Sequence, residues 1–357
     1  MKIAILGDLH IGTRNGSEIM TEHQKTFFDQ FFGYLLSHNM DTVIQLGDLF
    51  DVRKQANYKV LDFAFRELFD KIEANKLNFH TLIGNHDIFY KETLSITSSQ
   101  LVLRNYKHIH IHDNPTTLSF DGVTFDIIPW ICNENATQCM EYIRKSKSDY
   151  CCGHFAINEF PVLGNILFEE GMDKNAFSHY KHVFSGHFHN RSSKGNISYI
   201  GIPYQLTWSD AMTENGFVVF DTQTHEWEYI ANPDRYYYYM TYDDSKPGLS
   251  TSPETVKIKN SFIKVIVSHK SRSALFTNYI NTIINEHPAD LKIIDQQLID
   301  MRGMQLVDVS GTIKGTLQLI DDYVDQIDIP NKELVKNAMR SLYNQATTIQ
   351  DNVNADN

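Results

Sequence analysis

The sequence predicts an α/β protein of two packed mixed β-sheets flanked by helices, followed by a small C-terminal α/β capping domain and terminal helices. Three observations carry that expectation. Five short apolar runs before residue 190 each end in a glycine and a residue able to bind a metal: AILGDLH, VIQLGDLFD, FHTLIGNHD, YCCGHF and HVFSGHFH. The stretches between several of them are long enough for a helix to return the chain, as parallel strand pairing requires. Short alternating strands with turn signals dominate from 108 to 130 and recur at 197–202, 216–221 and 226–230.

Taken in order, each apolar run reads as a buried strand, and its glycine lets the chain turn sharply where a loop leaves the sheet. Residues 22–38 carry Phe27, Phe28, Phe31, Phe32, Leu35 and Leu36 at helical spacing, and 57–74 carry Leu61, Ala64, Phe65, Leu68 and Ile72. Both should pack on a sheet. Val60 and Phe63 lie off the main stripe of the second helix, which a broad core face explains, and 93–104 reads as a further helix. The alternation over 108–130 predicts antiparallel hairpins feeding a second sheet. A large first domain is expected over 1–235, with a linker at 236–254 ending in the Gly/Pro/Ser-rich stretch 245–253. The tyrosines of 236–239 suit an edge strand with one buried face. FIKVIVS reads as a strand, 273–286 as a helix and 291–314 as further strand, giving a capping unit at 255–320. The segment 321–357 should hold the terminal helices, with Leu334, Val335, Ala338, Leu342, Ala346 and Ile349 along one side of the last.

Composition sets the class. The chain has 357 residues, a formal net charge of −12 and four cysteines without a CxxC pair. Cys151 and Cys152 fall in an apolar strand, where small buried side chains are expected. MKIAIL is too short for a signal core, and no apolar run approaches membrane length. A soluble cytoplasmic protein is expected. The negative charge argues against nucleic acid, since phosphate backbones usually meet basic surfaces. Charge distribution matters more than the total, and bound divalent ions would make a cleft positive. Arg14, Arg53, Lys54, Lys91, Arg191 and Lys194 follow the metal-binding residues closely and are candidate DNA contacts or ordinary solvated loop residues.

Hydrolysing a phosphodiester needs an activated water, neutralised negative charge and help for the departing oxygen. Two metals roughly 3.5–4 Å apart, bridged by a carboxylate, supply the first two. The ligand set should then hold imidazoles, carboxylates and a neutral amide, with no thiolate. Asp8, His10, Asp48, Asn85, His154, His187 and His189 make such a set. Such donors suit manganese, iron, zinc or magnesium.

The ordered motifs D-x-H, G-D, G-N-H-D, G-H and G-H-x-H resemble those of the calcineurin-like metallophosphoesterases, over about residues 1–230. GIPYQLTWSDA and the apparent small domain after it look like the SbcD-type nucleases. The resemblance implies an α/β/β/α sandwich, with 1–235 as the nuclease domain and 255–320 as a DNA-contacting capping domain, and a two-metal DNA exonuclease and single-strand endonuclease. Its implied role is processing double-strand breaks for recombination, repair and replication. It implies Mn2+, with Mg2+, Fe2+ or Zn2+ as alternatives. It further implies an SbcC-type coiled-coil ATPase partner and a homodimer within a two-plus-two complex, docked through the terminal helices. It places Asp8, His10 and His189 on one ion, Asn85, His154 and His187 on the other, and Asp48 across both. His86 matches the catalytic histidine, with Asp87 orienting it and adjusting its pKa. One departure is Asp51, where relatives often carry a histidine. The rival readings are a phosphatase or cyclic-nucleotide phosphodiesterase on the same site, and an inactive DNA-bridging scaffold.

Overall fold

The computed structural model describes residues 1–163, 166–245 and 257–295, with 332–333 and 335–336. In chain order the strands are β1 (Lys2–Leu6), β2 (Thr42–Gln45), β3 (Asn78–Leu82), β4 (Ile109–His112), β5 (Thr116–Phe120), β6 (Val123–Ile128) and β7 (Tyr150–His154). There follow β8 (Pro161–Leu163), β9 (Ile166–Leu167), β10 (His182–Gly186), β11 (Ser192–Lys194), β12 (Ile197–Tyr199), β13 (Gly216–Asp221) and β14 (Trp227–Ala231). The last are β15 (Tyr237–Asp243), β16 (Phe262–His269) and β17 (Asp290–Asp295).

Two six-stranded sheets result, in the orders β14, β13, β1, β2, β3, β4 and β11, β12, β10, β7, β6, β5. Both are mixed. Strands β1 to β4 pair in parallel, with β13 and β14 antiparallel at one side. In the second sheet β12, β10, β7 and β6 are parallel, and β5 and β11 close the edges antiparallel.

Period-two alternation sorts each strand between two cores. From β1, Ala4 and Leu6 face the helices, packing with Phe27, Phe28 and Phe31. Ile3 and Ile5 face the other sheet, clustering with its Phe125 and Phe184 and with Phe220 of the neighbouring β13. A third core lies beyond the second sheet, where Ile143, Phe155, Phe177 and Tyr199 pack. Helix, sheet, sheet and helix are thus stacked as the sequence predicts.

The helix expected at 22–38 spans Glu18–Ser37, capped by the Ser17 side chain accepting from the Met20 amide. The one expected at 57–74 contains a π turn, Phe65–Phe69, between Tyr58–Ala64 and Asp70–Ala74. That turn advances the stripe by five residues rather than four. Phe63 and Leu68, and likewise Ala64 and Phe69, therefore share one buried side. This is how the off-stripe Phe63 joins the core. Of 93–104, only Ser98–Leu103 is helical.

The hairpin expectation over 108–130 needs correction. Only β5 and β6 form a hairpin; β4 instead extends the first sheet in parallel, with Phe79 opposite Ile109. The helix Ser98–Leu103 supplies the crossover such a parallel pair requires. Sequence reading also missed the helix Ala136–Lys145.

The described residues fall into two compact units. One holds both six-stranded sheets within residues 1–240, together with 257–265 and 272–292, and the other includes 241–245, 266–271 and 293–295. Strands β15, β16 and β17 make a three-stranded sheet in that order, and Ser273–Asn285 is helical as expected. Strand β15 begins inside the stretch expected as a linker, with Tyr237 buried and Tyr239 exposed. All of 296–314 and, apart from 332–333 and 335–336, the whole terminal-helix segment 321–357 lie outside the described residues. Among the described residues no helix is long and apolar enough to cross a membrane.

Candidate metal centre

The parallel strands aim their C-terminal ends at one edge, and all five junctions open there. From the first sheet, β1 leads to Asp8 and His10, β2 to Asp48, and β3 to Asn85 and His86. From the second, His154 ends β7, and β10 leads to His187 and His189. Three of these residues take left-handed backbone: His10 at φ 41°, Asp48 at φ 52° and His187 at φ 89°. Such conformations cost about 1–3 kcal/mol each and persist where surroundings hold them. Here the Asp48 carbonyl accepts from both the Leu9 and His10 amides, each at 3.0 Å. Asp8 accepts from the His187 amide at 3.1 Å. Each strained turn is therefore tied to a junction of another strand.

Close approach explains two of the glycines. Gly47 has φ +90°, and a Cβ there would lie 2.8 Å from Gly84 Cα. A Cβ on Gly84 would collide with the amide and carboxylate of Asp48.

The donors converge in two groups. Asp8, His10 and His189 form one, and Asp48, His154 and His187 the other. In the first, His10 Nε2 lies 3.2 Å from His189 Nε2 and 4.0 Å from Asp8 Oδ2. In the second, Asn85 Oδ1 lies 2.8 Å from His154 Nε2 and 2.9 Å from His187 Nδ1. Asp48 Oδ2 stands between them, 3.7 Å from His10 Nε2 and 3.4 Å from His154 Nε2. All seven residues expected as ligands are brought together.

Hydrogen bonding tests whether these atoms suit cations. His154 Nδ1 donates to the Leu46 carbonyl at 2.8 Å, so a neutral ring carries its lone pair on Nε2. That lone pair faces an amide oxygen and a carboxylate. Three acceptors turned on one point need a positive charge among them, and a backbone carbonyl fixing the tautomer is the usual support of a metal-bound imidazole. A second ring proton would supply that charge as well. Burial alone would depress the His154 pKa, but the Asp48 and Asp8 carboxylates outweigh it and lift it to about 9. Asp48 is held well below the usual carboxylate range, since His154 and His10 overcome its burial. Asp8 is driven up to about 6, chiefly by burial. His187 falls to about 3 and His189 to about 4, both chiefly by burial, so both rings are neutral and free to coordinate. The chemistry fits two divalent ions.

His86 is beside this centre, its ring 4.8 Å from that of His10. Its amide donates to Asp48 Oδ1 at 2.7 Å, and its Nδ1 donates to the Asp51 carbonyl at 2.7 Å. The ring of His86 thus rests on the Asp51 carbonyl, and the Asp87 carboxylate is engaged elsewhere. Asp87 is fully buried and accepts from the amides of Asp48, Gly84 and Leu49 at 2.8, 2.8 and 3.0 Å. It clamps the β2 and β3 loops together. Burial, reinforced by Asp48, raises its pKa to about 7.

Sequence reading gave Asp51 no part in the centre and missed Trp130. The Asp51 carboxylate lies 3.3 Å from His10 Nδ1, joining a third cluster with His10 and His86. Trp130 packs its ring 5.1 Å from His187 and 5.8 Å from His154. It ends the apolar run FDIIPW just as the ligands end theirs, which was the available signal.

The candidate DNA contacts are dispersed. Arg14 is exposed over the Phe262 ring, 4.3 Å from its centroid. Arg53 donates to the Ile88 carbonyl and, with Lys54, borders a cleft of about 480 Å³ between Phe50, Val60 and Phe89. Lys91 is exposed. Arg191 pairs with Glu214 at 3.0 Å, and Lys194 pairs with Glu159.

Fold and centre together define a metallophosphoesterase, and the chain belongs to the Calcineurin-like phosphoesterase family, which matches residues 1–191. Among its relatives is "Exonuclease subunit 1" of Enterobacteria phage T4, 38% identical over 232 residues, covering 65% of this chain and 68% of that protein. The "DNA double-strand break repair protein Mre11" of Nanoarchaeum equitans is 23% identical over 249 residues, 61% of this chain and 66% of its own length. A component of the nuclease SbcCD of Staphylococcus epidermidis is 26% identical over 263 residues, 63% and 67% respectively.

Proposed function

We propose that this chain is a two-metal DNA nuclease, cutting duplex ends and single strands in double-strand-break processing for recombination, repair and replication. The observation that carries the hydrolytic reading is the Asp48 carboxylate between two clusters, 3.7 Å from His10 and 3.4 Å from His154. Ions held by Asp8, His10 and His189, and by Asn85, His154 and His187, would share Asp48. Mn2+ is the ion proposed. Bound there, the ions supply Lewis acidity and a water acidified to near-neutral pKa. The chain supplies the rest. His86 keeps its Nδ1 proton on the Asp51 carbonyl, so Nε2 is the atom that carries a proton to the departing oxygen.

The choice of DNA is supported by three relatives named for exonuclease, break-repair or nuclease roles. The proposed partner is an SbcC-type ATPase, with two copies of each chain in the complex. Within the chain, 1–235 is the proposed nuclease domain and 255–320 the capping domain, joined through 236–254, and 321–357 docks the ATPase in the cytoplasm. End-labelled duplex and single-stranded DNA, and a chromogenic phosphodiester, incubated with Mn2+-loaded protein test the reading. Cleavage of DNA is expected. Hydrolysis of the small ester alone would overturn it in favour of a small-substrate phosphodiesterase.

A further inference from the structure

One face of the three-stranded sheet carries rings and cations in alternation. Tyr237 on β15 stacks on Phe262 of β16, centroids 4.6 Å apart, and the Arg14 guanidinium covers both. Two residues further along each strand stand Tyr239 and Lys264. Trp208 packs 5.1 Å from Tyr237 and 5.3 Å from Tyr239, and Lys264 Nζ lies 4.1 Å above the Trp208 ring. Among the described residues the buried Trp208 Nε1 has no acceptor, and ring contacts surround this side chain. Tyr239 is 43% exposed. Burial and the nearby Lys292 depress the Lys264 pKa, and no carboxylate among the described residues is paired with it. Asp290 lies 3.9 Å from Lys292 Nζ, and Asp210 and Asp290 both act on Tyr237.

An isolated cation over a ring is ordinary packing, found roughly once per 70–80 residues. Here two cations share four adjoining rings on a chain of formal net charge −12. The stripe also begins at Arg14, in the loop that carries His10. Alternating π faces and cations match the alternation of base and phosphate in a polynucleotide whose bases are free to stack. We infer that this stripe binds an unpaired segment of DNA strand, with bases on Trp208 and Tyr239 and phosphates on Lys264 and Lys292. A base arriving at Trp208 displaces the Lys264 ammonium from the ring onto the incoming phosphate. The inference rests on the nuclease reading only for its choice of a polynucleotide.

Binding of labelled oligo(dT) to the full chain in chelator, where no cleavage occurs, tests it. Trp208→Ala and Tyr239→Ala should each weaken binding by roughly tenfold to a hundredfold, and Trp208→Phe should retain most of it. Lys264→Gln should reduce the slope of log K against log salt by about 0.7. Tyr239→Ala removes an exposed ring, so it reads the stripe even where Trp208→Ala disturbs folding. Wild-type affinity in Tyr239→Ala and Lys264→Gln would overturn the inference, as would an equal loss for blunt duplex, which offers no free base faces. Unchanged oligo(dT) binding with intact DNA cleavage would sink this inference alone. Ring-dependent binding without metal-dependent cleavage would sink the nuclease reading alone.

Discussion

His86 donates one ring proton to a backbone carbonyl and its amide proton to Asp48, so its position is fixed without any help from its own metal coordination. His86→Ala should therefore lower DNA cleavage by about 10²–10⁴-fold while the protein keeps its metal. Metal content measured beside the rate decides this; loss of metal with the rate would make His86 a ligand instead. Asp51 is the opposite case. Its carboxylate lies 3.3 Å from His10 Nδ1, the nitrogen turned away from Asp8 and His189. Removing that charge should leave the ligands in place but weaken metal affinity by about 10–100-fold, as losing the carboxylate beside a metal-bound imidazole does. Titration of Asp51→Asn with Mn2+ reads it, and unchanged affinity would leave Asp51 only its backbone role.

The junctions between strand and loop carry the next level of organisation. Gly84 approaches Asp48 so closely that a methyl group has no room. Gly84→Ala should cost about 1–3 kcal/mol of stability and also reduce metal binding, because the atoms displaced belong to the residue between the clusters. Thermal unfolding with a metal titration checks both. These junctions were legible in the sequence because glycine, turn and ligand are consecutive: GDLH, GDLF, GNHD, GHF and GHFH each state their own local geometry. What was illegible depends on contacts between distant segments. Asp87 follows His86 directly, yet its carboxylate is consumed by amides of the β2 loop, which no spacing announces. Leu46 fixes the His154 tautomer through a carbonyl, a group every residue possesses. The π turn at Phe65–Phe69 shifts the helical phase by one residue, and the parallel pairing of β4 is a choice of neighbour rather than of local pattern.

Across the molecule, buried histidines away from the metal loops add to the acid sensitivity of His187 and His189. Burial pushes His23, His112 and His182 down to about 4 and His80 down to about 3. His80 and His112 meet between neighbouring strands, nitrogen to nitrogen at 3.0 Å. An imidazole whose folded pKa lies below its unfolded value of about 6.5 gives stability that is whole above that value and lost as pH falls towards the folded pKa. Unfolding free energy should therefore decline from about pH 6.5 towards pH 4. Replacing His80 and His112 together by leucine should flatten that decline, as denaturant melts at pH 7 and pH 5 in chelator would register. An unchanged pH slope would assign the acid sensitivity to other groups. The metal centre adds a longer-range effect. Its donors come from β1, β2 and β3 of one sheet and from β7 and β10 of the other. Ions bound there act as a clasp across the seam of the sandwich, and binding to the folded chain alone raises its melting temperature by mass action. Stripping them would do more than silence the hydrolase: it would loosen one rim of a sandwich that its apolar core still holds shut, and so lower its melting temperature.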